Sequence, residues 1–250
     1  MINLTGKRLL ITGAARGIGA ACARTAVDLG AEVVVHDVLE APVGALQAEL
    51  GDASHVVVRD LSDPSVVPDL WAKAVEWRGP IDVLINNAGI YEPASVDDSP
   101  QEWLAAWERT LAINLSAPGF LCREAIRAFR KQGGGTIINV ASRAAFRGED
   151  ADYMHYAASK AGVVAMTKTI ARQFGRENIV AVGIAPGFVR TELNQVFFDR
   201  FGVDAAAAET ALGEVAEPQD MANVIIFLAS GLGRHATGAT FDLNGASYVR

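Results

Sequence analysis

A chain of 250 residues with only two cysteines is long enough to bury a core without disulfide support. Half of its residues are hydrophobic and a fifth charged, which excludes a disordered or fibrous protein. A formal net charge of -7 repels phosphodiester backbones and anionic membranes, so neither nucleic acid nor membrane is expected as a partner.

In chain order, Lys7 and Arg8 precede a short apolar run that a turn at Gly13 cuts off, which reads as a first strand over 9–12 and not as a signal peptide. Further short β-branched runs follow at 33–35, 55–58, 83–85, 136–140, 180–184 and 240–243. Segments with apolar residues at helical spacing lie between most of them, at 20–29, 66–77, 103–129, 157–174 and 221–229. The most apolar of these, 224–229, is far below the roughly 20 residues needed to cross a bilayer. Cys22 and Cys122 fall in helical segments with no metal or disulfide spacing, which points to buried thiols in a reducing, cytoplasmic setting.

Strand and helix alternate. Parallel neighbours need crossovers, and each crossover helix must bury its apolar stripe on the sheet, so the pattern predicts one doubly wound α/β domain over 1–250, with about seven parallel strands and helices on both faces. No linker divides the chain, and Gly133-Gly134-Gly135 reads as a helix-to-strand turn. The stretch 187–215 differs: Phe188, Phe197, Phe198 and Phe201 alternate with polar residues and are followed by small residues at 205–208, which suggests an inserted flap. Its aromatics suit either an extended core or a pocket.

Between the first strand and its helix stand Gly13, Gly17 and Gly19, with Arg16 and Ile18 among them. Glycines allow close backbone approach to a ligand, and the helix N-terminus offers free N–H groups to a pyrophosphate. The spacing is not Gly-x-Gly-x-x-Gly, but the strand-to-helix context fits a dinucleotide, with Asp37 closing the second strand where ribose hydroxyls are received. A carboxylate there favours NAD over NADP. Arg16 is either a holder of a 2′-phosphate or a solvated loop cation, and Val38 leaves no second cation beside Asp37.

Tyr156 and Lys160 lie four apart, on one helix face. Bringing a phenol from a pKa near ~10 toward neutrality takes roughly 4 kcal/mol at about 1.36 kcal/mol per unit, which a nearby ammonium and an oxidised nicotinamide ring are suited to supply. Ser142 closes the fifth strand at the sheet edge where open parallel sheets bind ligands.

Over essentially its whole length the chain resembles the classical short-chain dehydrogenase/reductases, in the glycine turn, in Asn86-Asn87-Ala88-Gly89, in the set Ser142, Tyr156 and Lys160, and in Asn114. The resemblance implies a Rossmann fold, metal-free hydride transfer between an alcohol or carbonyl carbon and NAD(P), and a homotetramer or homodimer. It implies catalytic roles for Asn114, Ser142, Tyr156 and Lys160. Cofactor contacts are implied at the glycine turn and Asp37, at Asp60 and Leu61 against the adenine, at Asn87, Ala88 and Gly89, and at Tyr156 and Lys160. Pro186, Gly187, Val189 and Thr191 are implied to hold the carboxamide. Two departures stand out: the interval from Ser142 to Tyr156 is one residue longer than usual, and the chain reads Asp242-Leu243-Asn244-Gly245-Ala246 where Asp-Gly-Gly is commoner.

In the oxidative direction Tyr156 takes the hydroxyl proton, Lys160 holds phenolate and ribose, Ser142 orients the oxygen, and Asn114 fixes a water. A substrate wall is expected from Tyr91, Arg143, Phe146, Met154, Phe188 and Phe197; the apolar part suits a secondary alcohol, and Arg143 or Arg147 is either an anion grip or a solvated loop cation. His155 reads as a helix-face or interface residue. The function expected is NAD(P)-dependent interconversion of a secondary alcohol and a ketone. The rivals are reduction of a 3-oxoacyl thioester and a non-catalytic nicotinamide-binding sensor.

Overall fold

In the computed structural model, which describes residues 2–250, Met1 lies outside the described residues, so the expected domain is described from Ile2 onward. The chain runs β1 (Arg8–Thr12), α1 (Gly17–Asp28), β2 (Glu32–Asp37), α2 (Glu40–Leu50), β3 (Ser54–Val58), α3 (Val67–Arg78), β4 (Val83–Asn86), α4 (Pro100–Leu111) and α5 (Ala117–Gln132). It continues through β5 (Gly135–Val140), α6 (Ala144–Arg147), α7 (Met154–Phe174), β6 (Ile179–Pro186), α8 (Gln195–Phe201), α9 (Val203–Ala208), α10 (Pro218–Ala229) and β7 (Thr240–Leu243). All seven strands join one parallel sheet in the order β3-β2-β1-β4-β5-β6-β7.

A strand covered on both faces has no polar side, which is why these runs are continuously apolar instead of alternating. Successive side chains still point to opposite faces. Leu9, Ile11, Val33, Val35, Ile138, Val182 and Ile184 enter the layer under α1, α2 and α10. Leu10, Val34, Leu84, Ile137 and Ala181 enter the layer under α3, α5 and α7. This is a doubly wound Rossmann-type fold. The order reverses between β1 and β4, so the loops after those strands diverge to opposite faces and leave a crevice beyond their C-terminal ends.

The helical segment expected over 103–129 is two helices. α4 begins at Pro100 behind a capping box of Ser99 and Glu102, and a π-helical turn over Ala112–Ser116 separates it from α5. Pro118 supplies the reason: it has no N–H for the carbonyl of Asn114 four residues back, and its ring crowds that carbonyl, so the helix widens there. Asn114 therefore sits on a distorted turn, buried.

Residues 187–215 carry the short α8 and α9. The two readings of their aromatics divide residue by residue: Phe198 is buried with Ala206 and Val215 in a small separate cluster, Phe188 and Phe197 pack on that cluster and also line the crevice, and Phe201 is exposed.

Candidate active site

A cleft of about 570 Å³ opens beyond the C-terminal ends of β1, β2, β4, β5 and β6. At one end lies the glycine turn. Gly13 and Gly17 take positive φ, and a Cβ on Gly13 would come within 2.7 Å of the Ala88 Cα, so the loops after β1 and β4 touch only because Gly13 has no side chain. Asn87 braces that contact: its side-chain amide donates to the carbonyls of Thr12 (3.0 Å) and Gly13 (2.9 Å), while the Thr12 hydroxyl accepts from the backbone N–H groups of Asn87 and Ala88 at 3.1 Å each. Gly19 lies behind the turn, where a Cβ would run into the Gly13 carbonyl.

α1 opens into this end of the cleft with no side-chain cap and no acidic residue in its first turn, so its leading N–H groups and its positive dipole end face outward. Asp37, the last residue of β2, accepts from Ala15 N (2.9 Å) through Oδ2 and from Leu39 N (3.1 Å) through Oδ1. Each oxygen keeps a lone pair for another donor. Asp60 and Leu61 line the same end, and Asp60 Oδ1 accepts from Ser62 N at 2.9 Å. Arg16 is an exposed member of the lining. An uncapped helix end, two positive-φ glycines and a carboxylate at a strand terminus fit a dinucleotide: phosphates on the amides and ribose hydroxyls on Asp37.

At the other end, α7 presents Tyr156 and Lys160 one turn apart, both buried, with the Lys160 Nζ 5.7 Å from the Tyr156 ring centroid. Nζ donates to the Val140 carbonyl at 3.0 Å, which anchors it to the end of β5. Ser142 lies two residues beyond β5; its hydroxyl accepts from Ala144 N (3.1 Å) and favours the ionised form of the phenol. Asn114 stands behind, clasped to Ile90: Oδ1 accepts from Ile90 N (2.9 Å) and Nδ2 donates to Ile90 O (3.0 Å). A Cβ on Gly89 would sit 3.3 Å from both Asn114 Oδ1 and Lys160 Nζ, so this glycine keeps open the space the two polar groups share. Pro186, Gly187, Val189 and Thr191 complete the wall, and the Thr191 methyl lies 3.0 Å from where a Gly17 Cβ would be.

Burial dominates the electrostatics here. It pushes the Tyr156 phenol up to about 12, partly opposed by the Ser142 hydrogen bond, and pulls the Lys160 ammonium down to about 8. The protein alone thus holds the phenol away from ionisation, and bound positive charge has more work to do than a free phenol near ~10 would ask.

Of the expected substrate wall, Tyr91, Arg143, Phe188 and Phe197 line the cleft, and Phe146 and Met154 do not. The Phe146 ring instead lies under the Arg250 guanidinium, 3.7 Å away, because the end of the chain folds back over α6. Met154, the first residue of α7, is exposed. Arg143 is not a solvated cation, Arg147 is exposed, and both are paired with carboxylates. Arg143 is buried, with Nη2 2.8 Å from Glu209 and its guanidinium 4.5 Å above the Phe188 ring, while Arg147 lies 3.2 Å from Glu149 and 3.7 Å from Glu209. His155 is buried, with Nε2 3.0 Å from the Glu92 carbonyl.

Several lining residues carry no motif in the sequence: Arg59, Glu149, Asn194 and Glu209. The extra residue between Ser142 and Tyr156 falls in the stretch that carries Glu149.

Over residues 13–245 the chain matches the family model described as enoyl-(acyl carrier protein) reductase. L-rhamnose 1-dehydrogenase (NAD(P)(+)) of Sphingomonas sp. (strain SKA58) is 35% identical over 252 residues, covering 98% of each chain. The 3-alpha-(or 20-beta)-hydroxysteroid dehydrogenase of Mycobacterium bovis is 34% identical over 245 residues, covering 98% of this chain and 90% of that one. Among solved structures, 3-ketoacyl-(acyl-carrier-protein) reductase from Brucella melitensis complexed with NADH superposes with a TM-score of 0.89 at 30% identity, over 99% of this chain and 100% of that one. The sheet order, the braced glycine turn and these likenesses agree: the chain belongs to the short-chain dehydrogenase/reductase family, and is an NAD(P)-dependent oxidoreductase that interconverts an alcohol and a ketone.

Proposed function

We propose that the chain is an NAD-preferring dehydrogenase of a secondary alcohol, with Tyr156 as the acid–base group. The observation that carries this is the meeting of Ser142, Tyr156 and Lys160 at one end of a cleft whose other end is an uncapped helix beside Asp37. When bound, the nicotinamide supplies the hydride acceptor or donor. Tyr156 removes the proton from the substrate hydroxyl, or returns it in reduction, at its phenol oxygen. Ser142 holds the substrate oxygen, Lys160 lends positive charge to the phenolate, and Asn114 fixes the water that passes protons on from Lys160. The carboxylate of Asp37 favours ribose hydroxyls over a 2′-phosphate, which supports NAD.

The segment 187–215 acts as the substrate flap of a single domain, with Phe188 and Phe197 facing the cleft. Buried free thiols at Cys22 and Cys122 suit the cytoplasm, and no helix among the described residues is long and apolar enough to cross a membrane. Exposed Leu104 and Phe120 on α4 and α5 suit association into a homotetramer or homodimer. The likeness to the Brucella melitensis reductase favours a second reading, reduction of a 3-oxoacyl thioester.

A panel of secondary alcohols, ketones and a 3-oxoacyl thioester, assayed by nicotinamide absorbance with both cofactors, separates the readings. Tyr156→Phe is expected to lower turnover by orders of magnitude with NADH binding retained; normal turnover in that variant would refute the assignment.

A further inference from the structure

The substrate end of the cleft is built from charges that already have partners. Two guanidinium groups, Arg143 and Arg147, and three carboxylates, Glu149, Asp150 and Glu209, line the cleft. Glu209, at the end of α9, draws in Arg143 at 2.8 Å, and Arg147 divides itself between Glu149 and Glu209. The remaining Arg143 Nη1 is buried and makes no hydrogen bond. Both guanidinium groups already hold a carboxylate, and the five groups together carry one negative charge in excess.

Glu149 is the member placed to act on substrate. Gly148, at positive φ, ends α6 and reverses the chain, which returns Glu149 to the cleft shared by Tyr91, Arg143 and Tyr156. Its side chain is only 12% exposed. Oε1 receives Arg147 Nη2 at 3.2 Å, while Oε2 accepts from no side chain among the described residues. A carboxylate has about four lone-pair sites, and Arg147 with the Asp150 backbone N–H leaves room for a further donor. Burial lifts the affinity of Glu149 for a proton, with Arg147 and Arg143 opposing, and its charge in turn disfavours ionisation of Tyr91 and Tyr156.

We propose that Glu149 sets the substrate class of this site: it accepts a hydrogen bond from a second hydroxyl beside the reacting carbon of a neutral alcohol and turns away alcohols that carry a carboxylate. This rests on the dehydrogenase reading above and narrows it to vicinal diols and their hydroxyketones. A hydroxyl donor satisfies Oε2, an acyl chain leaves it unsatisfied, and an acid brings like charge to a site whose cations are paired.

The test compares three secondary alcohols of one ring size: cyclohexanol, trans-1,2-cyclohexanediol and 2-hydroxycyclohexanecarboxylate. In the unaltered protein kcat/KM is expected to be at least about tenfold higher for the diol than for either other compound. Glu149→Gln, which removes the charge but keeps an acceptor, is expected to cut the diol-over-carboxylate ratio at least about tenfold. Glu149→Leu is expected to abolish the diol-over-cyclohexanol advantage as well. The thermal shift of the NADH complex with each compound reads the same order by binding alone. A carboxylate that matches or exceeds the diol, or ratios unmoved in both variants, overturns the role of Glu149. Failure to bind any nicotinamide cofactor overturns the dehydrogenase reading itself, and with it this refinement.

Discussion

Replacing Lys160 with methionine removes a charge while keeping an unbranched chain of similar reach, and the structure gives the size of the effect. The ammonium lies 5.7 Å from the Tyr156 ring centroid. With the delocalised phenolate charge placed at the ring centre and an effective dielectric of about 20, the pair interacts by about 3 kcal/mol, or about 2 pKa units. The ammonium favours the phenolate, so its loss raises the phenol pKa. Alcohol oxidation needs the phenolate, and its rate climbs about tenfold per pH unit below that pKa, so near neutrality Lys160→Met is expected to lose about 100-fold in kcat/KM. Burial has brought the lysine itself down to about 8, so its charge is present below that pH and fades above it. The two profiles therefore lie furthest apart below pH about 8 and converge above it. Initial rates of NADH formation across the alkaline range give both curves. A uniform drop with an unmoved inflection would show that Lys160 only holds the ribose, and would refute the electrostatic account.

Three further outcomes are expected. Asp37→Asn keeps one acceptor for the Ala15 or Leu39 amide but loses the charge that repels a 2′-phosphate, so the NADP-to-NAD ratio of kcat/KM should rise at least about tenfold; a ratio that does not move would detach Asp37 from cofactor choice. Gly89→Ala puts a methyl group 3.3 Å from both Asn114 Oδ1 and Lys160 Nζ, and should lower kcat about tenfold with an unaltered circular dichroism spectrum. Ala246 sits at φ 58, which costs a non-glycine residue about 1–2 kcal/mol, so Ala246→Gly should raise the melting temperature by a few degrees once about 0.4–1 kcal/mol of unfolded-chain entropy is set against it.

The strands were legible because burial on both faces leaves short apolar runs bounded by turns, and the positions of Asp37 and Ser142 followed from where those runs end, while Tyr156 followed from its helical spacing to Lys160. The break between α4 and α5 was harder to see, since apolar spacing passes through it unbroken and only Pro118 marks the missing donor. Phe146 and Met154 misled because closeness in sequence to Ser142 and Tyr156 stood in for closeness in space; α6 turns Phe146 toward Arg250. The state of Arg143 was beyond reach for a different reason: its partner, Glu209, lies 66 positions away on a segment with no periodic pattern, and an ion pair leaves no local trace in sequence.

The two ends of the cleft differ in charge for reasons traceable to the fold. A parallel sheet points the N-termini of its crossover helices to the same edge as the C-termini of its strands, so the dinucleotide end inherits a positive helix end that α1 leaves uncapped. The charges of the catalytic end come from the α6 loop and the end of α9, where carboxylates outnumber guanidinium groups by one. Phosphates are therefore drawn to one end and repelled from the other, and a dinucleotide has one favourable direction in which to lie. On the proposed reading a neutral substrate fits the space that remains, next to a phenol that burial keeps protonated until a positive ring joins the Lys160 ammonium beside it. The proposed roles carry an order of events: the proton would leave substrate readily only after the cofactor is seated, which would keep the buried base from acting on an alcohol that has nowhere to send its hydride.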